Sequence, residues 1–583
     1  MSCRLPQEKV GHPRCEVETS LACPCRFCLS VPREYLTKGF GIFRGLLGSL
    51  ILVIRPEPIS TRMRVEALVL PVCAILSLTS ADGEEWVTMA QKTLMESLQM
   101  KPNTNVAKNV IFFLGDGMGV STVTAGRIYT GQTEGNTGEE TVLSFEKFSN
   151  VALSKTYNVD RQTADSAGTA TAFLCGVKAN LGTLGVSESV AREDCDAQDA
   201  GKVESILKWS LDEGKAAGIV TTARVTHATP AAGYAHSAER DWEGDADTTK
   251  SNVTGKCKDI AQQLVDNLDL QVVMGGGRRY FLLNNQTDPE TGEIDPKHRA
   301  DGRDLINDWK NSKGDKNATY VWNKAQFDSV NPAKTDYLLG LFESSHMQYD
   351  IERNSSGDGE PSLAEMTKKA IEILKKNDKG FFLLVEAGRI DHGHHDTYAK
   401  RALHEVKALH EAVKATMDVI SDSDTLVVVT ADHSHVFNIG GYPSRGNNIL
   451  DKVDRVPNYK EALDNMPYTT LSYGNGPQIR QNLTEVNTID VDYRFTSAVG
   501  LEYETHGGED VAIFAHGPMA HLFHGVHEQN YIPHVMAYAS CVGINKKHCD
   551  VVKPAKGSGQ KIVYYYAIVP CLSLAVLLSG MRH

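Results

Sequence analysis

The sequence predicts an α/β protein in which helices cover both faces of a central, mostly parallel β-sheet. Short apolar segments recur along the chain, and segments with helical periodicity separate them. Such uninterrupted apolar runs are typical of parallel strands, because helices bury both of their faces. Several of these segments are followed directly by polar residues, and open α/β sheets bind ligands at that carboxyl edge. The pattern therefore predicts the fold and also the edge of the sheet that carries a site.

Six apolar segments are the predicted strands. They read NVIFFLGDG at 109–117, AAGIVTTARVTHA at 216–228, LQVVMGGG at 270–277, GFFLLVEAG at 380–388, TLVVVTADHSH at 425–435 and DVAIFAHG at 510–517. Helical periodicity at 363–377 and 398–420 predicts two helices between strands. Residues 84–100 are predicted to form an amphipathic helix that serves as a packing arm. Residues 440–505 lose the alternation and are rich in Gly, Asn, Pro and Tyr, so we expect an inserted surface subdomain there.

Composition sets limits on size and on partners. The chain has 583 residues, of which 41% are apolar, enough for a large core. Many α/β enzymes of this length hold one continuous sheet. The formal charge of −13 argues against DNA or RNA as the main partner. Binding of nucleic acids depends on Lys and Arg side chains that neutralise phosphates.

The N-terminal region has the layout of an export signal that begins late in the chain. From Met63 a short basic start precedes an apolar stretch at 67–78 and small residues up to Ala81. This layout predicts a signal peptide at 63–81 that is cleaved after Ala81. Residues 1–62 are then a doubtful extension. They are either an artefact of an upstream start codon or a cytosolic segment whose apolar stretch at 45–54 assists insertion.

The C-terminal region, 557–583, predicts a GPI-anchor signal after a mature domain at 82–556. Small residues precede an apolar tail at 562–580, a combination typical of lipid attachment, here at Gly557 or Ser558. The polar spacer between them is shorter than usual. A plain tail anchor is the alternative, because a tail of this length could span a bilayer.

Cysteine usage supports export. Within the mature domain the cysteines are Cys175, Cys195, Cys257, Cys541 and Cys549. In an oxidising compartment this odd number predicts two disulfides and one free thiol. Cys541 and Cys549 form the expected local pair, and Cys195 and Cys257 form the second. Cys175 lies in an apolar helical stretch and is expected to be a buried hydrophobic residue rather than a nucleophile.

Five N-x-S/T sequons lie in polar stretches of the chain. In an exported protein such sequons predict glycosylated surface loops. They begin at Asn252, Asn285, Asn317, Asn354 and Asn482.

The segment VEAGRIDHGHH at 385–395 gathers metal-binding residue types after a predicted strand. Asp391 and His395 are four positions apart, so on a helix both lie on one face and can share a cation. His506, on a loop before another strand, would complete a zinc ligand set. The alternative interpretation is a polar helix start that binds no metal.

A second group of polar residues follows other strands. Asp432 and His433 are adjacent after one strand, and Asp116 follows the first strand within GDGMG. Asp116 could bridge two ions, since sites that act on phosphate often hold two metals about 4 Å apart. Glu386, Thr229 and Asp116 offer only oxygen atoms, which suits Mg²⁺. The alternatives for the glycine-rich segment are a turn or a weak nucleotide-binding loop.

A nucleophile and a phosphate ligand can also be predicted. Ser166 follows Asp165 at a helix start, where helix N–H groups face an anion and small residues allow close approach. The alternative is that Asp165 or Ser166 only caps the helix. Ser166 lies outside any G-x-S-x-G motif, which disfavours a Ser-His-Asp hydrolase. Arg240 could bind two phosphate oxygens or be an ordinary surface charge.

Six segments carry a family resemblance. They are IFFLGDGMGVSTVTA, DSAGTATAFLCGVKAN, VTTARVTHATPAAGYAH, FFLLVEAGRIDHGHH, VVVTADHSHVFNIGGY and THGGEDVAIFAHGPMAHLFHGVHEQNYIPHVMAY. On these segments the chain, from about Asp82 to Asp550, resembles the animal alkaline phosphatases of the intestinal, placental and tissue-nonspecific type. The resemblance implies an alkaline-phosphatase-like fold and a hydrolase of phosphate monoesters with an alkaline pH optimum.

The resemblance also implies a role for each site residue. The first zinc ligands would be Asp391, His395 and His506, and the second zinc ligands Asp116, Asp432 and His433. The magnesium ligands would be Asp116, Thr229 and Glu386, with His227 and His392 beside the ligands. Ser166 would be the covalent nucleophile, and Arg240 would bind the phosphoryl oxygens.

The family also has an outer calcium site and a dimeric assembly. By resemblance the calcium ligands would be Glu290, the Phe342 backbone, Glu343 and one further carboxylate, either Glu360 or Asp358. Residues 440–505 resemble the family's crown, and the helix at 84–100 resembles the arm that embraces the partner subunit. A homodimer is therefore expected.

The sequence as a whole predicts a secreted, GPI-anchored, homodimeric phosphomonoesterase. It would act on small phosphate monoesters through a phosphoserine intermediate, with two Zn²⁺, one Mg²⁺ and one Ca²⁺. One alternative is a related metal-dependent phosphodiesterase or sulfatase, although DSAGT lacks the C/S-x-P-x-R signature of sulfatases. The other is a catalytically inactive surface or matrix-binding relative.

Overall fold

The computed structural model describes residues 81–253, 255–454 and 462–552. The predicted extension (1–62), the predicted anchor signal (557–583) and all but the last residue of the predicted signal peptide (63–81) lie outside the described residues. The chain separates into two units, of which the first ends at Gln91 and the second begins at Lys92. The sheet and the site belong to the second unit.

Helix α1 (Ala81–Gln99) agrees with the helix predicted at 84–100. Its large apolar side chains are exposed, namely those of Trp86, Met89, Leu94, Met95 and Leu98. Across the described ranges, the helices are all too short or too polar to cross a membrane.

A ten-stranded sheet forms the centre of the second unit. From one edge to the other its strands are β15 (Gly525–Glu528), β2 (Asn150–Lys155), β14 (Val511–His516), β8 (Thr425–Ala431), β1 (Asn109–Gly115), β7 (Phe381–Ala387), β3 (Ala216–Arg224), β4 (Val272–Gly276), β6 (Tyr337–Leu341) and β5 (Ala318–Val321). Strand β14 pairs antiparallel with both of its neighbours, and the remaining pairs are parallel. The predicted mostly parallel sheet is confirmed.

Helices connect the strands and pack on the sheet. In chain order they are α2 (Val120–Thr133), α3 (Ser166–Cys175), α4 (Ile206–Asp212), α5 (Ala228–Ala231), α6 (Asp245–Lys250), α7 (Ile260–Asp266), α8 (Leu305–Ser312), α9 (Lys324–Ser329), α10 (Leu363–Leu374), α11 (Arg389–His395), α12 (Ala399–Met417) and α13 (Tyr531–Ser540). Short 3₁₀-helices lie at Ser144–Lys147, Gln198–Gly201, Arg278–Tyr280, Ala520–Leu522 and Lys547–Val552.

The sheet separates two apolar cores, because successive residues of a strand point to opposite faces. On β1, Phe112 and Leu114 join the core that contains residues of α3 and α13. Ile111 and Phe113 join the core that contains residues of α10 and α12. Burial on both faces explains why the strand is an uninterrupted apolar run instead of an alternating pattern.

Two predicted strands are shorter in the structure than in the sequence pattern. The segment at 216–228 is extended only to Arg224, and the chain then turns into α5. In the segment at 425–435, β8 ends at Ala431 and a separate two-residue strand, β9 (Ser434–His435), pairs with β13 (His506–Gly507). In both places polar residues leave the sheet at its carboxyl edge.

The region predicted as an inserted subdomain contains a small sheet of its own. Its three strands are β10 (Phe437–Ile439), β11 (Leu471–Gly476) and β12 (Ser497–Gly500). Phe437, Leu471 and Phe495 belong to a separate apolar cluster that also includes Tyr129 of α2 and Leu403 of α12. The small sheet begins slightly before residue 440 and packs on these two helices.

The predicted cysteine pairing is confirmed. Cys195 is bonded to Cys257, and Cys541 is bonded to Cys549. Cys175 is a free, buried cysteine. Burial raises the pKa of its thiol, so Cys175 carries no nucleophilic thiolate at neutral pH.

Arg299 is a fully buried cation whose loss should destabilise the fold. Its guanidinium donates to the Asp259 carboxylate at 2.9 and 3.0 Å and also contacts Asp301. We expect Arg299→Met to lower the free energy of unfolding by about 3–5 kcal/mol, because buried Asp259 would lose its partner. Denaturant titration measures this change.

Arg303→Met is the matched control for that measurement. The Arg303 guanidinium is partly exposed and pairs with two carboxylates at the surface. Its removal should cost at most about 1 kcal/mol, since water screens exposed ion pairs. Equal losses in the two variants would show that burial of Arg299 contributes nothing specific.

Candidate metal and phosphate site

Polar side chains meet where four neighbouring central strands end. Asp432 and His433 follow β8, Asp116 follows β1, and Glu386 is the last residue but one of β7. The parallel register places Glu386 beside Thr221 of β3. Residues that are far apart in sequence therefore converge at the carboxyl edge of the sheet, as the strand pattern predicted.

Asp391, His395 and His506 form a compact group of three donor atoms. Asp391 and His395 lie on α11, four residues apart, and His506 lies on β13. The Nε2 atoms of His395 and His506 are 3.1 Å apart, and each is 3.3 Å from Asp391 Oδ1. Ligands of a tetrahedral zinc ion with bonds of 2.0–2.1 Å lie about 3.3 Å from one another. The spacing of this group suits zinc.

The charges of this group also suit a cation. Burial would raise the pKa of Asp391, but the surrounding imidazoles outweigh burial and hold it well below its ordinary value. Burial lowers the pKa values of His395 and His506. At neutral pH the group therefore has one carboxylate and two neutral imidazoles with free lone pairs.

Asp116, Asp432 and His433 form a second, fully buried group. His433 Nε2 lies 3.0 Å from Asp432 Oδ2 and 3.6 Å from Asp116 Oδ1. The Gly117 N–H donates to Asp432 Oδ1 at 2.9 Å and fixes this carboxylate. The rings of His433 and His506 stack with centroids 3.6 Å apart, so the two groups are direct neighbours.

The second group concentrates negative charge. Burial and the nearby carboxylates of Asp432, Asp391 and Glu386 raise the pKa of Asp116 well above its ordinary value. Burial opposes ionisation of Asp432 as well, but His433 outweighs burial and lowers its pKa to about 2. Buried carboxylates at this density need cations or protons to be stable.

A third candidate group contains only oxygen atoms, those of Asp116, Glu386 and Thr229. Among the described residues, Asp116 Oδ2, Glu386 Oε1 and Thr229 Oγ1 are buried and make no hydrogen bond. Burial raises the pKa of Glu386 to about 7, although the nearby hydroxyls of Thr221 and Thr229 act in the opposite direction. Unpaired buried oxygens of this kind are what a hard cation such as Mg²⁺ binds.

Ser166 is the first residue of α3 and faces the second group. Its hydroxyl oxygen lies 3.3 Å from Asp116 Oδ1 and 3.2 Å from His433 Nε2. Asp165, not Ser166, caps the helix, because its Oδ1 accepts a hydrogen bond from the Gly168 N–H at 3.2 Å. The Ser166 hydroxyl is thus available to the site.

Arg240 contacts Asp165, the residue before Ser166, and is mostly buried rather than a surface charge. Its Nη1 donates to Asp165 Oδ2 at 2.9 Å, and its Nη2 lies 3.1 Å from His227 Nε2. Burial would lower the pKa of Arg240, but the Asp165 carboxylate raises it. Arg240 is a permanent positive charge that Asp165 orients at the start of α3.

His227 and His392 pack with a third imidazole, that of His346. The ring centroids of His346 and His392 are 4.1 Å apart, and His227 lies 5.3 and 5.4 Å from them. Burial, with neighbouring arginines adding to it, lowers the pKa values of all three well below their ordinary value. His346 was not predicted as a site residue, because it lies in a loop without any flanking motif.

His435 and Glu504 are two further residues of the site that were not predicted from the sequence. His435 Nε2 lies 2.8 Å from Asp391 Oδ1, and His435 Nδ1 lies 2.5 Å from Glu504 Oε2. Burial would lower the pKa of His435, but Glu504 and Asp391 on its two sides raise it to about 10. The D-H-x-H spacing within TADHSH is the sequence signal that could have indicated His435.

The predicted calcium ligands lie around the end of β6, and they are Glu290, Phe342, Glu343 and Glu360. Burial and the charge of Glu290 raise the pKa of Glu343. Burial and the charge of Glu343 raise the pKa of Glu360 to about 8. Within the described ranges, Glu360 Oε1 is buried without a hydrogen-bond partner, whereas Asp358 is exposed. The structure therefore groups Glu360, and not Asp358, with the other two carboxylates.

The five sequon asparagines are all exposed. This holds for Asn252, Asn285, Asn317, Asn354 and Asn482. Each is accessible to a glycosylating enzyme.

Comparison with known proteins agrees with this geometry. The family model for alkaline phosphatase matches residues 107–542. This chain belongs to the alkaline phosphatase family. Among curated proteins it is 55% identical to the rat tissue-nonspecific alkaline phosphatase over 480 residues, which cover 80% of this chain and 90% of the relative. It is 53% identical to the human tissue-nonspecific enzyme over 490 residues, with coverage of 82% and 92%.

An alkaline phosphatase of Gadus morhua is 53% identical over 473 residues, covering 79% of this chain and 98% of the relative. Among solved structures, the Thermus thermophilus alkaline phosphatase matches with a TM-score of 0.53 and 24% identity, covering 75% of this chain and 92% of that chain. The enzyme from the Antarctic bacterium TAB5 matches with a TM-score of 0.52 and 22% identity, covering 76% and 100%. These two structures support the alkaline phosphatase fold.

The family and its close relatives define the activity. The chain is a metal-dependent phosphomonoesterase. The predicted family, fold and enzyme class are confirmed, and the alternative of an inactive surface protein gains no support.

Proposed function

We propose that this phosphatase works through a covalent phosphoserine on Ser166. The observation that carries the proposal is the position of the Ser166 hydroxyl, within 3.3 Å of both Asp116 and His433 at the start of α3. Ser166 Oγ forms a bond to phosphorus while the ester P–O bond breaks, and the departing alcohol oxygen takes up a proton. Water then attacks phosphorus, releases inorganic phosphate and returns the serine hydroxyl.

Two zinc ions and one magnesium ion are proposed for the three donor groups. Asp391, His395 and His506 would hold the first zinc, and Asp116, Asp432 and His433 the second. Asp116, Thr229 and Glu386 would hold magnesium, and their unpaired buried oxygens support this assignment. When bound, the zinc ions would lower the pKa of the Ser166 hydroxyl and stabilise charge on the leaving oxygen.

Arg240 is proposed to bind the nonbridging phosphoryl oxygens. Its guanidinium has five N–H donors, and the contacts to Asp165 and His227 involve one terminal nitrogen each. Asp165 fixes the plane of the guanidinium, so its remaining donors are oriented before the substrate arrives. Because charge on these oxygens changes during transfer, a fixed cation beside them lowers the barrier.

Trapping the phosphoserine is the experiment that tests this proposal. The purified protein, loaded with zinc and magnesium, is incubated with inorganic phosphate at acid pH, quenched and digested. Mass spectrometry should find phosphate on the peptide that contains Ser166. In parallel, hydrolysis of p-nitrophenyl phosphate should rise from neutral to alkaline pH and exceed hydrolysis of bis(p-nitrophenyl) phosphate. Phosphate on a different residue, or a preference for the diester, would rule out the proposed mechanism.

We further propose a structural calcium ion held by Glu290, Glu343, Glu360 and the carbonyl of Phe342. Burial and mutual repulsion raise the pKa values of Glu343 and Glu360, and this buried concentration of carboxylates supports a site for a hard cation. This cation would offset both the burial and the repulsion from Glu343 that raise the pKa of Glu360 to about 8.

Glu360→Gln and Asp358→Asn form a matched pair that decides which residue is the further calcium ligand. Calcium should raise the melting temperature of the unaltered protein and of Asp358→Asn, because a ligand that binds only the folded state stabilises it. Glu360→Gln should lose most of this increase. Differential scanning calorimetry with and without calcium measures it, and the reverse pattern would assign Asp358.

A cell-surface location and a dimeric state are also proposed. The predicted signal peptide, the exposed sequon asparagines and the two disulfides support an exported glycoprotein. The predicted attachment at Gly557 or Ser558 supports a GPI anchor in the outer leaflet. The exposed apolar side chains of α1 support a homodimer, since such surfaces are usually covered by a partner.

A further inference from the structure

Glu504 is a buried carboxylate that the proposed roles leave unused. It lies two residues before His506 and is completely shielded from solvent. Its Oε1 accepts a hydrogen bond from the Val436 N–H at 2.8 Å, and its Oε2 lies 2.5 Å from His435 Nδ1. Both carboxylate oxygens thus bind strand β9 and the residue that follows it.

The backbone of Glu504 binds a different element, helix α11. Its carbonyl accepts a hydrogen bond from His395 Nδ1 at 2.5 Å, and its N–H donates to the His395 carbonyl at 2.9 Å. These contacts fix the ring of His395 with Nε2 towards Asp391 and His506. A histidine that binds a metal commonly donates its other ring N–H to such an acceptor, which sets ring orientation and basicity.

His435 extends the contacts of Glu504 to Asp391. Its Nε2 lies 2.8 Å from Asp391 Oδ1, which is also the oxygen that faces His395 and His506. The two ring nitrogens of His435 each face a carboxylate oxygen, so the ring bridges Glu504 and Asp391. Glu504 is therefore linked to one zinc ligand through its backbone and to another through its side chain.

We infer that Glu504 is a positioning residue that holds Asp391 and His395 in the geometry of the first zinc site. The inference rests on the proposed function. Its own loop also supplies His506, so loss of the carboxylate would loosen this loop, with the Glu504 backbone that holds His395, from β9. Asp391 would lose the support that His435 receives from Glu504. The second group is fixed by the ends of β1 and β8 and by the Gly117 N–H, contacts in which Glu504 takes no part.

Zinc titration of Glu504→Ala tests this inference. The full chain is depleted of metal, and zinc binding is measured in competition with a chromophoric chelator. The unaltered protein should bind two zinc ions tightly. In Glu504→Ala one of the two affinities should fall by about 10- to 100-fold, and the other should stay unchanged. The kcat for p-nitrophenyl phosphate at limiting zinc should fall in parallel.

Two further variants separate positioning from a general structural role. Glu504→Gln keeps the size of the side chain and can bond both the Val436 N–H and a neutral His435, so it should recover most of the zinc affinity. Glu502→Ala removes an exposed carboxylate from the same loop and should behave like the unaltered protein. Should Glu504→Ala fail to fold, Glu504→Met keeps the side-chain volume, removes both acceptors and carries the same expected loss.

The outcomes distinguish this inference from the proposed function. Unchanged zinc affinities in folded Glu504→Ala, equal weakening of both zinc ions, or no recovery in Glu504→Gln would each overturn the inference alone. If the unaltered protein binds zinc but hydrolyses no phosphate monoester, the proposed mechanism is wrong, and the titration still decides the role of Glu504. An unaltered protein that binds no zinc would overturn both.

Discussion

Replacing Ser166 by alanine is expected to lower kcat for phosphate monoesters by roughly 10³-fold or more. The change removes the oxygen that lies between Asp116 and His433 and leaves both of these side chains in place. Asp165 still caps α3, and its ion pair with Arg240 is unaffected. Phosphate binding should therefore persist while the covalent step is lost.

Steady-state kinetics with p-nitrophenyl phosphate and calorimetric titration with inorganic phosphate measure the two effects separately. Ser210→Ala is a suitable control, because Ser210 is also a buried helical serine, and its hydroxyl donates to the Ile206 carbonyl of α4. It should retain normal kcat. If Ser166→Ala kept most of its activity, water rather than serine would be the nucleophile that attacks the ester.

The sequence predicted the parts of this site that follow from strand order. Asp116, Glu386 and Asp432 could be placed at one edge because each follows or ends an apolar segment, and parallel strands end together. The pair Asp391 and His395 could be placed on one face because a helix repeats every 3.6 residues. In these cases a local periodicity determines where a side chain points, so distant partners were not needed.

The residues that were missed depend on contacts between loops. His435 and Glu504 are 69 positions apart and meet only because β9 pairs with β13. His346 meets His392 from a loop whose path no periodicity defines. Glu360 could not be separated from Asp358 by spacing, since burial, which distinguishes them, results from packing of the whole region. Two-residue strands and irregular loops leave no periodic pattern in a sequence.

Removal of the metal ions should abolish phosphatase activity. Bound metal ions stabilise the charge of the transition state by several kcal/mol, and loss of this stabilisation corresponds to a rate decrease of roughly 10³-fold. Chelator-treated protein should therefore be inactive. Zinc alone should restore activity partly, and zinc with magnesium fully, because Asp116 faces both groups. Recovery with magnesium alone would contradict the assignment of zinc to the imidazole groups.

The stability of the metal-free protein follows from its buried carboxyls. Burial raises the pKa of Glu386 from an ordinary value of 4.5 to about 7, so the folded state holds a proton that the unfolded state has released between these values. The free energy of unfolding must then fall as pH rises from about 4.5 to about 7 and stay low above that range. Bound cations replace this proton, so the metal-loaded protein should lack this decrease in the free energy of unfolding.

Thermal melts of metal-free and metal-loaded protein at acid and at alkaline pH measure the difference. In the metal-free Glu386→Gln variant, the decrease in stability with rising pH should be smaller. A decrease of equal size in Glu386→Gln would show that other groups cause it.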